Sequence, residues 1–332
     1  MRPRISVVVC THNGATFLSD QLDSIVGQSV LPDEIVISDD ASTDTTRQII
    51  EQFVRETRVA FPGISCRVLL SEKPRGVRGN FEWAISQTTG DLIALADQDD
   101  VWHRQRLERQ ISLGEAPAVL LSHSNADLID ESGKSLGYLL FATLHMNGRT
   151  VRNINSGDGF RELMRRNVVT GATVMLSRKL TELAFPIPSA WLHDEWLAVV
   201  AAMNYGLVSI DEPLISYRQH ASNQIGARRL NLAIMRTRVS TSRQERNARL
   251  LLRAEQLVAF VDSRGPDVAS DVRAAAHRKL AHERVRWNLP AARIRRLPRI
   301  VAELVRGRYH SDGRGLQGVF LDVFQPDASD DA

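Results

Sequence analysis

From residue 5 the chain alternates between short, continuously apolar runs and longer stretches with apolar residues at helical spacing. Ile5 to Cys10 is a β-branched run that reads as a buried strand. Thr11-His-Asn-Gly14 breaks it, and Ala15 to Gln28 then places Phe17, Leu18, Leu22, Ile25 and Val26 on one helical face. Glu34 to Ser38 predicts a second strand, Arg67 to Leu70 a third and Asp91 to Ala96 a fourth. Between them, Asp44 is placed to cap a helix running to Phe53, and Asn80 to Gln87 reads as another helix. This alternation is the signature of right-handed crossover units: an α/β fold with a mostly parallel central sheet flanked by helices. Such sheets bind ligands beyond the carboxyl ends of their strands, where Thr11, Asp39, Asp97 and Asp99 all fall.

Farther along, the pattern is less regular. Ala118 to Ser122 and Gly171 to Leu176 predict strands, and Leu207 to Ile210 a short one. Asp158 to Arg166 and His193 to Asn204 predict helices. Past Ala227 long helical patterns rich in Arg take over. From Arg228 to Arg308 there are 20 Lys or Arg against 7 Asp or Glu, although the whole chain carries a formal charge of only +3. We therefore expect a boundary near Gly226, with one α/β domain over 1–226 and a basic helical region over 227–326. A short acidic tail, 327–332, is expected to be disordered.

A length of 332 residues, 43% hydrophobic and 24% charged, suits a globular protein with one large domain and a smaller appendage. Cys10 and Cys66 each sit in an apolar run, which predicts buried, reduced thiols and too few ligands for a cysteine metal site. The first apolar run is too short for a signal peptide, and no run approaches the roughly 20 apolar residues needed to cross a bilayer. The expected location is the cytoplasm.

The strongest chemical feature is Ala94-Leu-Ala-Asp97-Gln-Asp99-Asp100-Val-Trp102. An apolar strand runs into three carboxylates within four residues, which repel one another unless a cation sits among them. Hard oxygen donors that leave room for water and phosphate suit Mg²⁺ or Mn²⁺, and such an ion bridges a diphosphate. The alternative is a solvated acidic turn capping the next helix. Lys73, Arg75 and Arg78 flank Gly76 and Gly79, forming a cationic loop in which Arg78 is the candidate for a diphosphate contact; the alternative is a solvated basic loop. Asn13 reads equally as a helix cap or a ligand contact, and Asp40 as a nucleotide contact or a residue holding its own turn with Ser42 and Thr43.

Residues 5 to 220 resemble a family 2 glycosyltransferase of the GT-A fold. The resemblance rests on Val7-Val-Val-Cys-Thr-His-Asn13, Ile35-Val-Ile-Ser-Asp39-Asp40-Ala-Ser-Thr-Asp44, Asp91 to Trp102, His193-Asp194-Glu-Trp196 and Tyr217-Arg-Gln-His220, in that order. It is similar to bacterial rhamnosyl- and other glycosyltransferases that build O-antigen, capsule or related polysaccharides. The resemblance implies a nucleotide-sugar half over about 1–102 and an acceptor half over 103–226. It implies that Thr11 and Asp39 hold the nucleoside and that Asp97, Asp99 and a late histidine, His220, hold metal and pyrophosphate. Asp194 would be the catalytic base of an inverting transfer, with Glu195 as fallback, and Gly171 and Thr173 would line the acceptor pocket. Trp191 and Trp196 read either as sugar-stacking rings or as core. The implied donor is a uridine or deoxythymidine diphospho-sugar, and the implied acceptor a saccharide or lipid-linked saccharide. A non-catalytic donor-binding protein of the same fold is the competing expectation. A nucleotidyltransferase is disfavoured, because Thr11-His-Asn-Gly14 is not a Gly-rich phosphate loop.

The segment 284–306 mixes Arg with Trp287, Leu289, Ile294, Leu297, Ile300, Val301, Leu304 and Val305. It reads either as peripheral contact with an anionic membrane or as a helical cap with a solvated Arg face. No nucleic-acid partner is expected, because no recognised module accompanies the charge.

Overall fold

The computed structural model describes residues 2–114, 118–220 and 242–327. Their contacts divide the chain into two units. One is drawn from Met1–Gly157, Val168–Ile187 and Trp191–Arg228, and the other from Asp158–Asn167, Pro188–Ala190 and Arg229–Ala332. The boundary expected near Gly226 lies outside the described residues.

Among the described residues the first unit has nine strands: β1 Ile5–Thr11, β2 Glu34–Asp39, β3 Ser65–Leu70, β4 Leu92–Ala96, β5 Val101–Trp102, β6 Leu121–Ile129, β7 Ser135–Leu139, β8 Val174–Ser177 and β9 Leu207–Arg218. They form one sheet in the order β3-β2-β1-β4-β8-β6-β9-β5, with β7 on β6. Its helices are α1 Leu18–Val26, α2 Thr46–Ala60, α3 Gly76–Ser86, α4 Arg106–Gly114, α5 Leu140–Thr143 and α6 Gly148–Asn153. Past α7 (Gly159–Arg165), which belongs to the second unit, come α8 Arg178–Ala184 and α9 His193–Met203.

The α/β class holds, but the sheet is mixed. β3, β2, β1 and β4 run parallel, as the crossovers predict, whereas β8 is antiparallel to both β4 and β6. β1 pairs on both edges, so all seven of its residues are buried and the run is apolar up to Cys10 except for Ser6, whose hydroxyl donates to Glu34 at 2.5 Å. Register lines up the strand ends: Thr11 lies opposite Asp39, and Ala96 opposite Val9. Being antiparallel, β8 begins rather than ends at that carboxyl edge, which brings the Gly171–Thr173 turn there. β9 is far longer than the short strand expected over 207–210. It carries Tyr217 and Arg218 back alongside β5, where Ser216 lies opposite Val101.

The second unit adds α10 Arg243–Ser263, α11 Ser270–Trp287, α12 Arg293–Val305, α13 Arg308–Ser311 and α14 Leu316–Phe324 to α7. Its basic residues are not simply a solvated face. Arg243 is buried and paired with Asp327 at 2.7 Å, and Arg296 lies 3.4 Å from the same carboxylate. Arg286 bonds Glu283 at 2.8 Å and Asp322 at 2.7 Å. Asp327, expected to begin a disordered tail, is thus a buried anchor; residues 328–332 lie outside the described set. Likewise Arg286 and Arg296, counted among the surface arginines of 284–306, point inward.

Candidate active site

The carboxyl edge of the sheet is held together by side chains that the pattern alone does not single out. Gln98 bonds both backbone groups of His12: its oxygen accepts from the His12 N–H at 2.7 Å, and its NH₂ donates to the His12 carbonyl at 3.2 Å. This clamp ties the end of β4 to the end of β1, and Gly14 is its condition. A Cβ at Gly14 would stand 2.3 Å from the Gln98 amide oxygen. Asp40 accepts from the N–H groups of Arg75 at 2.6 Å and Gly76 at 2.9 Å, so its carboxylate stands at the positive end of α3. Asn80 completes the seam: Ser38 donates to its side-chain oxygen at 2.6 Å, and its NH₂ donates to the Ser38 carbonyl.

Around that edge stand Asp97, Asp99, Asp100 and Asp194. The Asp97 carboxyl is pushed up to about 7, first by burial and then by the charges of Asp99 and Asp194, with Arg106 opposing. Burial, then Asp99 and Asp97, pushes Asp100 up as well. One Asp100 oxygen accepts from the Arg218 N–H at 3.0 Å; the other is buried without a hydrogen bond among the described residues. Asp99 meets His220 across 2.7 Å, and its carbonyl accepts from the Arg218 guanidinium at 2.8 Å. Asp194 opens α9, accepting from the Gly171 N–H at 3.1 Å and its neighbour Glu195's N–H at 2.8 Å. Beside it, His193 is 4% exposed and stacked on Phe81 with ring centres 3.8 Å apart. Burial drives its imidazole down to about 3, so it is a neutral packing group at physiological pH.

Among the described residues, no three His, Cys, Asp or Glu side chains already surround one point as a metal demands. The site offers the Asp99–His220 pair beside a carboxyl, Asp97, whose ionised form Arg106 offsets only in part. That donor set fits a divalent cation that takes its remaining ligands from water or phosphate oxygens.

Comparison with known proteins follows the same outline. Residues 6–169 match the model of glycosyl transferase family 2. That segment, just under half of the chain, carries the family's pattern. Among its relatives is a dTDP-rhamnosyl transferase, RfbG, of Shigella flexneri, 25% identical over 237 residues, which span 66% of this chain and 74% of that protein. Other matches cover less of the relative: 39% of one and 64% of another. The fold is that of the GT-A transferases. TarS of S. aureus, solved with UDP-GlcNAc, superposes at a TM-score of 0.55 with 16% identity, covering 84% of this chain and 72% of that one. The mannosyltransferase PcManGT of Pyrobaculum calidifontis, solved with GDP-Man and Mn²⁺, superposes at 0.52 with 19% identity over 92% and 76%.

The residues expected at the site fall into three groups. Asp97, Asp99 and Asp194 are close enough to raise one another's or their neighbours' pKa values, and His220 is in contact with Asp99. Thr11, Asp39, Asp40 and Asn13 gather at the ends of β1 and β2, each engaged within the protein. Thr11 donates to Asp39 at 3.1 Å, and Arg47 reaches Asp39 at 2.8 Å. Asn13 accepts from the Thr43 N–H at 2.8 Å. Arg78 lies on α3 and donates to Glu82 at 3.0 Å and to the Ile187 carbonyl at 3.1 Å.

The third group corrects the expectation. Trp196, read either as a sugar-stacking ring or as core, takes the core place: it is 0% exposed and donates its indole N–H to the Ala184 carbonyl at 2.7 Å. Trp191 packs on it, ring centres 5.4 Å apart, and is itself buried. Thr173 is fully buried, donating to Thr170, so it too offers no surface to an acceptor. Gly171 and the half-buried Glu195 remain beside Asp194.

Two residues were missed. Arg106 is fully buried over the Trp102 ring at 3.8 Å, bonds the Leu95 carbonyl, and sits near Asp97 and Asp100. The pattern gives no signal for it, because Trp102 ends β5 and Arg106 opens α4, and the contact forms only where the chain turns from strand to helix. Tyr217 is buried within electrostatic reach of Asp100, Asp97, Asp99 and Asp194, all of which push its phenol up after burial itself. It stands in the quoted motif with Arg218 and His220, but its buried place emerges only once β9 is drawn through to 218.

Proposed function

We propose that this chain is an inverting, metal-assisted glycosyltransferase that moves a sugar from a uridine or deoxythymidine diphosphate donor to a hydroxyl of a saccharide or lipid-linked saccharide, in cell-surface polysaccharide synthesis on the cytoplasmic side. The observation that carries this reading is the meeting of Asp97, Asp99 and Asp194 at one sheet edge, with His220 on Asp99. Asp194 is the base: held by the Gly171 N–H, it takes the proton from the acceptor hydroxyl. The acceptor oxygen bonds the anomeric carbon while that carbon's bond to the diphosphate breaks on the opposite face, and the nucleoside diphosphate leaves with the electron pair. No carboxylate nucleophile is required, unlike in a retaining glycosidase. Asp99 and His220, with Asp97, would hold Mg²⁺ or Mn²⁺, which neutralises charge on the departing diphosphate when bound. RfbG's donor is named as a dTDP-sugar, and TarS and PcManGT were solved with UDP- and GDP-sugars, so base preference is read by assay.

A thermal-shift panel of nucleotide sugars with Mn²⁺ or Mg²⁺ tests donor binding, since a ligand of the folded state raises the midpoint. Turnover is then followed in Asp99→Ala and Asp194→Asn. We expect Asp99→Ala to lose the metal-dependent shift and Asp194→Asn to keep it, with both losing transfer by roughly 10² or more. Normal turnover in both variants would sink the assignment. Donor binding without transfer to any acceptor would favour the non-catalytic reading.

A further inference from the structure

In the second unit, α12 divides its surface into three strips. One is buried, with Arg296, Ile300 and Glu303. A second is apolar and exposed: Ile294 at 77%, Leu297, Val301 and Val305 at 82%, recurring every three or four residues. The third is basic and exposed, with Arg295, Arg299 and Arg306, while Arg293 stands at the helix start. α14 packs against α12 and exposes a second apolar row, Leu316, Phe320 and Phe324, again at a spacing of four, with the two phenyl rings 4.8 Å apart. Water-facing helices do not ordinarily carry such rows, and exposed apolar side chains at helical spacing on two helices packed together mark a docking face.

The charge around these rows selects the occupant. Between residues 293 and 324 the carboxylates are Glu303, Asp312 and Asp322, and all three are buried. Arg293, Arg295, Arg299, Arg306 and Arg314 are exposed over the same span. The face is therefore apolar and cationic, with no exposed carboxylate in the span. A second copy placed on it would set arginines against arginines. An acyl boundary beneath a layer of anionic headgroups meets both features, apolar side chains entering the boundary and guanidinium groups pairing with phosphates.

We infer that the exposed face of α12 and α14 is a peripheral docking surface for an anionic lipid bilayer. This narrows the segment 284–306, because Arg286 and Arg296 are spent on internal ion pairs and the working residues extend to Phe324. It goes beyond the transferase reading and rests on different residues.

The test is flotation of the full chain with vesicles of phosphatidylcholine alone, or of phosphatidylcholine mixed with phosphatidylglycerol, at low and high salt. The chain is expected to float with the anionic vesicles, to stay behind with the neutral ones, and to be released by salt. Val301→Asp with Val305→Asp, both at exposed positions, should weaken partitioning by at least about tenfold, as should Arg295→Gln with Arg299→Gln, at roughly fivefold per arginine. No flotation with anionic vesicles overturns the proposal, as does equal binding to both vesicle types that the arginine variant leaves unchanged. Self-association abolished by Val301→Asp with Val305→Asp, without vesicle binding, overturns it in favour of a second copy. The nucleotide-sugar thermal shift is read on the same preparations. Vesicle binding without that shift sinks only the transferase reading, and the shift without vesicle binding sinks only the docking surface.

Discussion

Asp97 is a carboxyl group at odds with its surroundings, and this makes it testable by pH. Its folded value of about 7 stands above the ordinary carboxylate value near 4. The folded state therefore binds more protons than the unfolded chain between those values. The contribution to stability is fully present below about pH 4 and is lost as pH rises through about 7. In chelator, urea unfolding should show this fall, and Asp97→Asn should flatten it; an equal slope in the variant would remove Asp97 as its source. Added Mn²⁺ should restore stability at the upper end by supplying the missing positive charge. At this scale the sequence revealed the acids and hid their partners. Asp97, Asp99 and Asp194 are legible because a strand end or helix start announces them. Gln98 reads as part of an acidic turn, and only the approach of His12 from another strand turns it into a clamp. Arg47 is one polar residue in a helical pattern until Asp39 is seen buried beside it.

Elements carry these residues to their places, and element ends are where pattern and structure part. α3 begins at Gly76, four residues before the apolar periodicity at Asn80, because the Asp40 carboxylate receives the N–H groups of Arg75 and Gly76. The segment Lys73-Pro-Arg-Gly76 reads as loop since the cap is supplied from a distant strand. β9 runs on to Arg218 past Pro213, where Asp211-Glu-Pro looks like a turn. α9 is the element on which the base depends, and Gly171 controls its first turn. A Cβ at Gly171 would lie 2.8 Å from the His193 ring nitrogen and 3.5 Å from the Asp194 Cβ. The His193 ring is pinned on Phe81 and cannot retreat cheaply, so Gly171→Ala should shift the start of α9 and displace the Asp194 carboxylate. A misplacement of about 1 Å costs on the order of 10² in rate. Steady-state kinetics should show kcat falling by that order with the donor thermal shift retained. An unchanged kcat would mean that α9 absorbs the methyl and that Gly171 does not set the base.

For the whole molecule, the net charge of +3 conceals an excess of arginine after residue 228, and among the described residues those arginines meet different fates. Some face solvent on α12; others enter a buried ionic lattice, which no count of charges along the chain distinguishes. Asp322 is its centre. It accepts from Arg286 at 2.7 Å, from Arg246, and from the Tyr309 hydroxyl at 2.8 Å, with no exposed surface. Burial alone would raise its pKa, yet Arg286 and then Arg246 hold it below the usual carboxylate range. The stability it contributes is therefore present above about pH 4 and lost as pH falls below that. Replacing such a pair with well-packed apolar residues can be neutral, but removing one partner strands the others. Asp322→Asn keeps the shape and deletes the charge, leaving two guanidinium groups without their shared anion. Loss of one partner from a buried pair costs about 3–5 kcal/mol. Chemical unfolding should show that loss in the transition of the C-terminal helices. A cost under about 1 kcal/mol would instead mean that water reaches the lattice and that it behaves as a surface network.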